Sequence, residues 1–152
     1  MAKYFELTGE TKVNEFGATL HRIQCTQDTR WAKAGDLGGW VESEANLCDV
    51  AWVDDEAQVF GSARVYGGAR VFGDARVYGD ARVYGDARVF GCARVWGYAE
   101  VYDNAVVRGT ARVCENAKIL GSAVVANSDA FYADDVISDS ASCISSHGSI
   151  SC

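Results

Sequence analysis

The chain has 152 residues, of which 49% are hydrophobic and 23% charged, so it can bury a modest core and lacks the composition of a disordered segment. Its formal net charge of -7 argues against general binding to nucleic acids or anionic membranes, because either would need an excess of exposed Lys and Arg. No apolar run approaches the roughly 20 residues of a membrane span and the first residues show no apolar signal core, so we expect a cytoplasmic protein without membrane contact.

Residues 1–40 lack the period that follows them and are predicted to form an N-terminal cap. KYFELTGETKV and ATLHRIQCTQ alternate as strands do, and NEFG between them supplies turn residues, so a β-hairpin is predicted. AGDLGGWV then leads into the repeats, and Trp31 and Trp40 are expected to seal the open end of the core. The alternative is that this segment carries a binding site.

A period of six residues dominates the segment 41–126. An aliphatic residue occupies fifteen consecutive steps of six, and an Ala comes four residues after each of the first fourteen, from Ala45 to Ala123. At the next steps Asp129 and Asp135 replace Ala. We therefore expect regular coils over 41–126, followed by an irregular terminal coil or a Ser-rich tail over 127–152.

One unit, Ala-Arg-Val-Tyr-Gly-Asp, shows how the repeat can fold. Its first four residues alternate as in a short strand, with Ala and Val on one face and Arg and Tyr on the other. Gly and Asp tolerate positive φ and turn a corner. Three such sides close a triangular coil of about 18 residues, and stacked coils share one core. The prediction is an all-β, parallel, triangular solenoid of roughly five to six coils behind a small β cap.

The outward side chains recur every third unit and form columns along each side of the prism. The candidate interface consists of Phe60, Tyr78, Trp96, Arg76, Arg94 and Arg112 on the first side, Tyr66, Tyr84 and Tyr102 on the second, and Phe72 and Phe90 on the third. Stacked rings stabilise neighbouring strands, and aromatic residues with Arg are also enriched at interfaces. So much aromatic surface favours a partner on at least one side, and a second copy in a dimer or trimer is the simplest partner.

The columns of Arg need nearby negative charge. Corner residues Asp74, Asp80 and Asp86 lie in the same coils and are expected to neutralise them. The alternative is that an Arg and aromatic groove between subunits holds a phosphate, a nucleotide or another small anionic ligand. The six cysteines show no metal-ligand spacing, so reduced thiols and no bound metal are expected.

The hexad [LIV]-x-x-x-[STAV]-x, present as VYGDAR and VFGCAR, resembles the left-handed parallel β-helix of hexapeptide-repeat proteins over about 41–126. KYFELTGET, TLHRIQC and KAGDLGGWVESEANL ahead of the repeats make the chain similar to the YdcK-like proteins of phages and enteric bacteria. The resemblance implies a left-handed coil. Members of the family are labelled acyltransferases because of the repeat alone, so it implies no particular activity.

Acyl transfer by hexapeptide-repeat enzymes generally uses a His general base on or near the coils. Here His21 lies in the cap and His147 near the end of the chain, and residues 41–126 contain neither a His nor an insertion. We therefore expect no catalytic residue and no cofactor. The favoured function is a rigid, self-associating or partner-binding rod. The alternatives are a phage inhibitor of host defence that binds a host protein or sequesters a nucleotide-like ligand, and a hexapeptide-repeat acyltransferase.

Overall fold

Two-residue strands recur every six residues after a longer N-terminal hairpin in the computed structural model, which describes residues 4–126, 130–131 and 136–138. The strands are β1 (Phe5–Val13), β2 (Thr19–Cys25), β3 (Leu37–Val41), β4 (Trp52–Val53), β5 (Gln58–Val59), β6 (Arg64–Val65), β7 (Arg70–Val71), β8 (Arg76–Val77), β9 (Arg82–Val83), β10 (Arg88–Val89), β11 (Arg94–Val95), β12 (Glu100–Val101), β13 (Val106–Val107), β14 (Arg112–Val113), β15 (Lys118–Ile119), β16 (Val124–Val125), β17 (Ala130–Phe131) and β18 (Val136–Ile137). A short 3₁₀ helix, η1 (Glu44–Asn46), lies between β3 and β4.

Three parallel sheets form the sides of a triangular solenoid. Each short strand pairs in register with the strand three elements further along, because three sides complete one coil. Sheet 1 stacks β5, β8, β11, β14 and β17, sheet 2 stacks β6, β9, β12, β15 and β18, and sheet 3 stacks β4, β7, β10, β13 and β16. The predicted all-β triangular solenoid is confirmed, with about five turns. Its left-handed sense stays a prediction from the resemblance.

Backbone hydrogen bonds join each coil to the next. The N–H of Arg82 donates to Ala99 O and that of Tyr84 to Val101 O, both at 2.9 Å. The pattern repeats along all three sides, so most backbone groups of one coil are satisfied by its neighbours. Stability therefore depends on contacts between adjacent coils, as in other solenoids.

The corners between strands need residues that accept a left-handed backbone. At one corner the N–H of Ala81 donates to Tyr78 O at 3.4 Å, which closes a tight turn around Gly79. Gly79 has φ +69°, and a Cβ atom there would lie 2.9 Å from the backbone N of Gly97 in the next coil. Both the dihedral angle and the close stacking of coils therefore favour glycine.

Some corners use an acidic residue in this left-handed conformation instead. Asp49, Asp55 and Asp103 have φ between 55° and 59°, and their carboxylates accept the N–H of Gly67, Gly73 and Gly121 at 2.9, 3.1 and 3.1 Å. In each case the acceptor belongs to one coil and the donor to the next. The carboxylate thus satisfies a corner N–H of the following coil and offsets the cost of positive φ.

Asp103→Ala is expected to destabilise the solenoid by about 1 to 2 kcal/mol, because Ala loses the bond to Gly121 N–H and tolerates positive φ poorly. Asp103→Asn should stay within about 0.5 kcal/mol of the parent, since its amide oxygen can accept the same hydrogen bond and Asn adopts the left-handed region readily. Urea unfolding followed by circular dichroism measures both changes. Equal losses in the two variants would contradict the role given to the carboxylate oxygen.

The inward positions of the coils form one apolar core. Val and Ala alternate along it, and the side chains from Val53 to Val125 at these positions are 0 to 1% exposed. The first corner departs from this rule, because Ala45 is exposed and Asn46 is buried. Ser43 and Asn46 form a capping box around η1, and the Asn46 amide donates to Ala63 O at 2.8 Å. The expected inward position of Ala45 is therefore wrong, because a capped 3₁₀ turn replaces the corner.

The cap extends sheet 1 at the N-terminal end. β1 and β2 pair antiparallel, β2 and β3 pair antiparallel, and β3 pairs parallel with β5. The predicted hairpin is confirmed. A register shift between Leu7 and Thr11 interrupts the β1–β2 pairing.

Trp40 does not seal the end of the core, whereas Trp31 is partly buried against it. Trp40 directly precedes the inward Val41, so strand alternation points its indole to the outer side, where it packs with Leu20 and Phe60. Trp31 packs against the core cluster while partly exposed, and its Nε1 donates to Gly68 O at 2.9 Å. The core continues at this end into a different set of buried side chains, namely Tyr4, Phe5, Ile23, Leu47 and Trp52.

Two strands past residue 126 keep the repeat in register. β17 pairs with β14 and β18 pairs with β15, both parallel, and Ile137 is fully buried. The predicted Ser-rich tail, including Cys143, His147 and Cys152, lies outside the described residues.

Candidate interface

The outer sides of the three sheets carry the candidate residues, and we number these faces after their sheets. Face 1 has the columns Gln58, Arg76, Arg94, Arg112 and Phe60, Tyr78, Trp96, Cys114. Face 2 has Arg64, Arg82, Glu100, Lys118 and Tyr66, Tyr84, Tyr102, Leu120. Face 3 has Trp52, Arg70, Arg88, Val106 and Asp54, Phe72, Phe90, Arg108.

The aromatic residues of each face stack into ladders along the solenoid. Ring centroids are 4.9 Å apart for Phe60–Tyr78, 5.8 Å for Tyr78–Trp96, 4.8 Å for Tyr66–Tyr84, 4.9 Å for Tyr84–Tyr102 and 4.6 Å for Phe72–Phe90. The planes of these pairs differ by 1 to 8°. Rings held this way reinforce neighbouring strands, which by itself explains why aromatic residues occupy the columns.

The hairpin folds over the N-terminal half of face 1. Its turn, residues 14–18, places the Glu15 carboxylate 2.8 Å from Arg76 Nη1 and the Phe16 ring 5.1 Å from the Tyr78 ring. The Asn14 amide also donates to Gln58 Oε1 at 3.1 Å. The hydrogen bond to Arg76 lowers the pKa of Glu15, so the pair stays charged at neutral pH. This part of face 1 is therefore already an interface within the chain.

The stem of the hairpin covers Trp40 on the same face. Lys12 Nζ lies 4.3 Å from the Trp40 ring centroid and 3.4 Å from Glu56 Oε1. Arg22 also lies over the Trp40 ring, at 5.4 Å. The indole is thus enclosed by cations that a carboxylate holds in place.

The loop 26–36 lies against the N-terminal part of face 3. The guanidinium carbons of Arg70 and Arg88 lie 5.2 and 5.4 Å from the Trp31 ring, so two column arginines contact the loop. Arg30 of the loop pairs with Asp86 at 2.9 Å. Part of face 3 is thus also covered by the chain itself.

Face 2 is the side that the cap leaves bare. Within residues 4–126, no hydrogen bond, ion pair or ring contact joins the cap to either column of this face. A groove of about 720 Å³ runs beside the column Arg82, Glu100, Lys118 and is flanked by Tyr98 and Val136, which are 65% and 56% exposed.

One hydrogen bond orders the centre of face 2. Tyr84 donates from its hydroxyl to Glu100 Oε1 at 2.9 Å. Burial and this bond to a carboxylate both raise the pKa of Tyr84, so the phenol stays protonated at physiological pH. A neutral ring thus holds the Glu100 side chain against the ladder.

Contrary to the expectation from the sequence, the column arginines in the described part of the chain do not pair with the corner residues Asp74, Asp80 and Asp86. Arg70 pairs with Asp54 at 3.1 Å and Arg76 pairs with Glu15 of the hairpin. Asp86 pairs with Arg30 of the cap, and no ion pair in the described part of the chain joins Asp74 or Asp80 to a column arginine. Asp74 and Asp80 are exposed, whereas the acidic partners of Arg70 and Arg76 come from the same face or from the cap.

The described residues contain few groups that could form a catalytic or metal site. His21 lies half-buried in β2, away from the columns, and no group of three His, Cys, Asp or Glu side chains among residues 4–126, 130–131 and 136–138 could hold a metal ion. No helix in the described part of the chain is long and apolar enough to cross a membrane. The features of the described residues that can support a function are therefore the three outward faces of the solenoid.

Three parallel sheets around one apolar core, with stacked outward ladders, define a protein of the parallel β-solenoid class. Residues 69–83 and 81–97, which run from β7 to β11, match the family described as YdcK Beta solenoid repeat. These residues thus carry the YdcK β-solenoid repeat, which confirms the resemblance drawn from the motifs of the chain. No curated protein matches the chain at a significant level.

Several residues at these surfaces are not apparent from the repeat. Glu15 and Phe16 belong to a turn motif, and nothing local indicates that they reach Arg76 and Tyr78, some 60 residues along the chain. Tyr98 occupies a corner position where no other unit of residues 41–126 has an aromatic residue, and this departure from the repeat is visible in the sequence.

Proposed function

We propose that this chain is a non-enzymatic, rigid binding protein that associates with a second copy of itself through face 2. The observation that carries this proposal is the unequal cover of the three faces. The cap occupies parts of faces 1 and 3, whereas the ladder Tyr66, Tyr84, Tyr102 has no cover within residues 4–126. An interface on one self-complementary face closes a dimer, because each copy has only one face 2 and the two-fold contact uses it on both copies.

The chemistry of face 2 supports a protein partner. Aromatic side chains and Arg supply much of the binding energy at protein interfaces, and both are present here. Stacking and the Tyr84–Glu100 bond hold the rings in place before binding, so little side-chain entropy is lost on association. The exposed Tyr98 ring at the edge of the groove adds apolar surface that a partner can bury.

The charges of face 2 suit an antiparallel pair of solenoids. A two-fold axis between the two central coils places Arg82 opposite Glu100 of the second copy, and the symmetry makes this pair twice. The same axis places Arg64 near Lys118 of the second copy, at the edges of the contact, where water and salt screen the repulsion. The complementary pairs thus lie at the centre and the like charges at the rim.

A small anionic ligand is less well supported by the same groove. Its two cations, Arg82 and Lys118, lie beside two carboxylates, Asp80 and Glu100. The groove therefore has no net positive charge to attract a phosphate.

Sedimentation velocity of the full chain tests the proposal. At tens of micromolar the parent protein is expected to be a dimer, and Arg82→Glu combined with Tyr98→Ser should weaken dimerisation at least about ten-fold, because a third carboxylate joins Asp80 and Glu100 and the exposed ring is lost.

Arg112→Glu is the matched control, since it reverses the same charge at the equivalent position of face 1. It should leave the dimer intact. A parent chain that sediments as a monomer at these concentrations, or a double variant that dimerises like the parent, would contradict the role of face 2.

A further inference from the structure

The hairpin turn shows how face 1 binds a segment of chain. Glu15 pairs with Arg76 at 2.8 Å, and the next residue, Phe16, lies 5.5 and 5.1 Å from the rings of Phe60 and Tyr78. The Arg76 guanidinium carbon is also 6.0 Å from the Phe16 ring. An acidic residue followed by an aromatic one thus occupies a receptor made of one Arg and two stacked rings.

The repeat reproduces this receptor one coil further along. Arg94 pairs in register with Arg76, and the Trp96 ring stacks on Tyr78 at 5.8 Å with 6° between their planes. Arg112 follows Arg94 in the same column. Unlike Arg76, neither Arg94 nor Arg112 forms an ion pair within residues 4–126.

Within residues 4–126, no ion pair or ring contact from the cap occupies the second receptor. Arg94 and Trp96 are half-buried, and Arg112 is exposed. Phe16 keeps 50% of its surface exposed at the edge of the covered part. The uncovered surface thus continues directly from an interface that the chain already makes with itself.

We propose that Arg94, Trp96 and Arg112 form a binding site for a segment of another protein that carries an acidic residue followed by an aromatic residue. The incoming carboxylate pairs with Arg94, with Arg112 on its far side, and the incoming ring packs on Trp96. Bonds of this kind between Arg and carboxylate are geometrically specific, and the ring contact adds apolar burial. The site lies on face 1 and goes beyond the self-association assigned to face 2.

A peptide suits this site better than a nucleic acid. The turn that occupies the first receptor presents a carboxylate beside a phenyl ring to Arg76 and Tyr78, and the proposed site repeats that combination of Arg and ring one coil further along. A polyanion would also meet a chain whose formal net charge is -7, whereas a single carboxylate meets only the local arginines.

The test uses the chain's own turn as a probe. A fluorescein-labelled peptide of residues 11–20, TKVNEFGATL, is titrated with the full-length protein, and its fluorescence polarisation is recorded. Saturable binding is expected. A peptide with Gln in place of the Glu, and a second with Ala in place of the Phe, should each bind about ten-fold more weakly, because each removes one of the two contacts.

Variants of the protein locate the site. Arg94→Glu should weaken binding of the parent peptide about ten-fold, and Trp96→Ser should do the same, whereas Trp96→Phe retains a ring and should bind like the parent. Circular dichroism confirms that each variant is folded. Because Arg94→Glu changes a column side chain and no core residue, it remains informative if Trp96→Ser proves unstable.

Three results would overturn the proposal. One is the absence of binding to the parent protein at about millimolar concentration, an affinity near the weak end of specific recognition. Another is unchanged binding to Arg94→Glu. The third is loss of binding in Arg76→Glu but not in Arg94→Glu, which would mean that the peptide merely replaces the internal turn. Arg82→Glu with Tyr98→Ser should retain peptide binding, so failure of this site and failure of the face 2 dimer are distinguished.

Discussion

Val83→Asp is expected to unfold the solenoid. The Val83 side chain is fully buried in the middle of the core, between Val65 and Val101 of the adjacent coils. An unpaired carboxylate there costs about 3 to 5 kcal/mol, a large part of the roughly 5 to 15 kcal/mol that stabilises a typical domain. Because each coil is held by its neighbours, a fault at this position also separates the two halves of the rod. Thermal unfolding followed by circular dichroism should show a loss of the cooperative transition or a Tm lower by about 10 °C or more.

Arg82→Asp is the control for this prediction. It introduces the same carboxylate one residue away, at an exposed position of the same strand. At a protein concentration low enough that the chain is monomeric, the change should alter the free energy of unfolding by no more than about 0.5 kcal/mol, because no dimer contact is then lost. Similar destabilisation by both substitutions would contradict the inward orientation of Val83 and the outward orientation of Arg82.

Gly38→Val is expected to detach the cap from the first coil. A Cβ atom at Gly38 would lie 2.6 Å from Val53 O, 2.7 Å from an Ile23 side-chain carbon and 2.7 Å from the Trp52 ring. The carbonyl oxygen belongs to the backbone of β4, so the clash cannot be relieved by a change of rotamer. Overpacking of this kind costs about 3 kcal/mol or more, because the strand itself has to move. Urea unfolding should show this loss, and hydrogen exchange should show β1 to β3 exchanging faster than the coils.

Leu37→Val separates the clash from the effect of a β-branched residue in β3. Leu37 is the preceding residue and is 51% exposed, so the substitution should change the stability by less than about 0.5 kcal/mol. If Gly38→Val is as stable as Leu37→Val, the close approach of β3 to the first coil does not contribute to the free energy of unfolding.

Most of the solenoid follows from its period. A side chain in a short strand points to the side opposite its neighbour's, so alternating Ala, Arg, Val and Tyr already assign core and surface. The Gly and Asp that follow assign the corner, since both tolerate positive φ. These rules are local, which explains why the core from Val53 to Val125, the three sheets and the stacked rings agree with the prediction.

The exceptions occur where a local motif competes with the period. The repeat places Ala45 inside, but Ser43 and Asn46 form a capping box and turn this segment into η1. The spacing of Ser43 and Asn46 is visible in the sequence and is a recognised start signal of a helical turn. Trp40 shows a different error, because large apolar residues near the end of a repeat suggest a seal, whereas alternation in β3 points the indole outward.

Only the tertiary structure shows which of the three faces the cap leaves free to bind a partner. Each face carries a ladder of stacked aromatic rings, because all three are built from the same unit, so the period alone does not single out one face. What distinguishes them is the path of the cap, whose turn reaches Arg76 and Tyr78 on face 1 and whose Trp31 reaches Arg70 and Arg88 on face 3. Strand alternation and the preference of Gly and Asp for corners depend on adjacent residues, so both can be inferred from the sequence alone. Contacts between the cap and the coils join residues far apart in the chain and depend on how two folded units meet. Only the folded chain therefore shows that cap residues 4–40 leave face 2 uncovered.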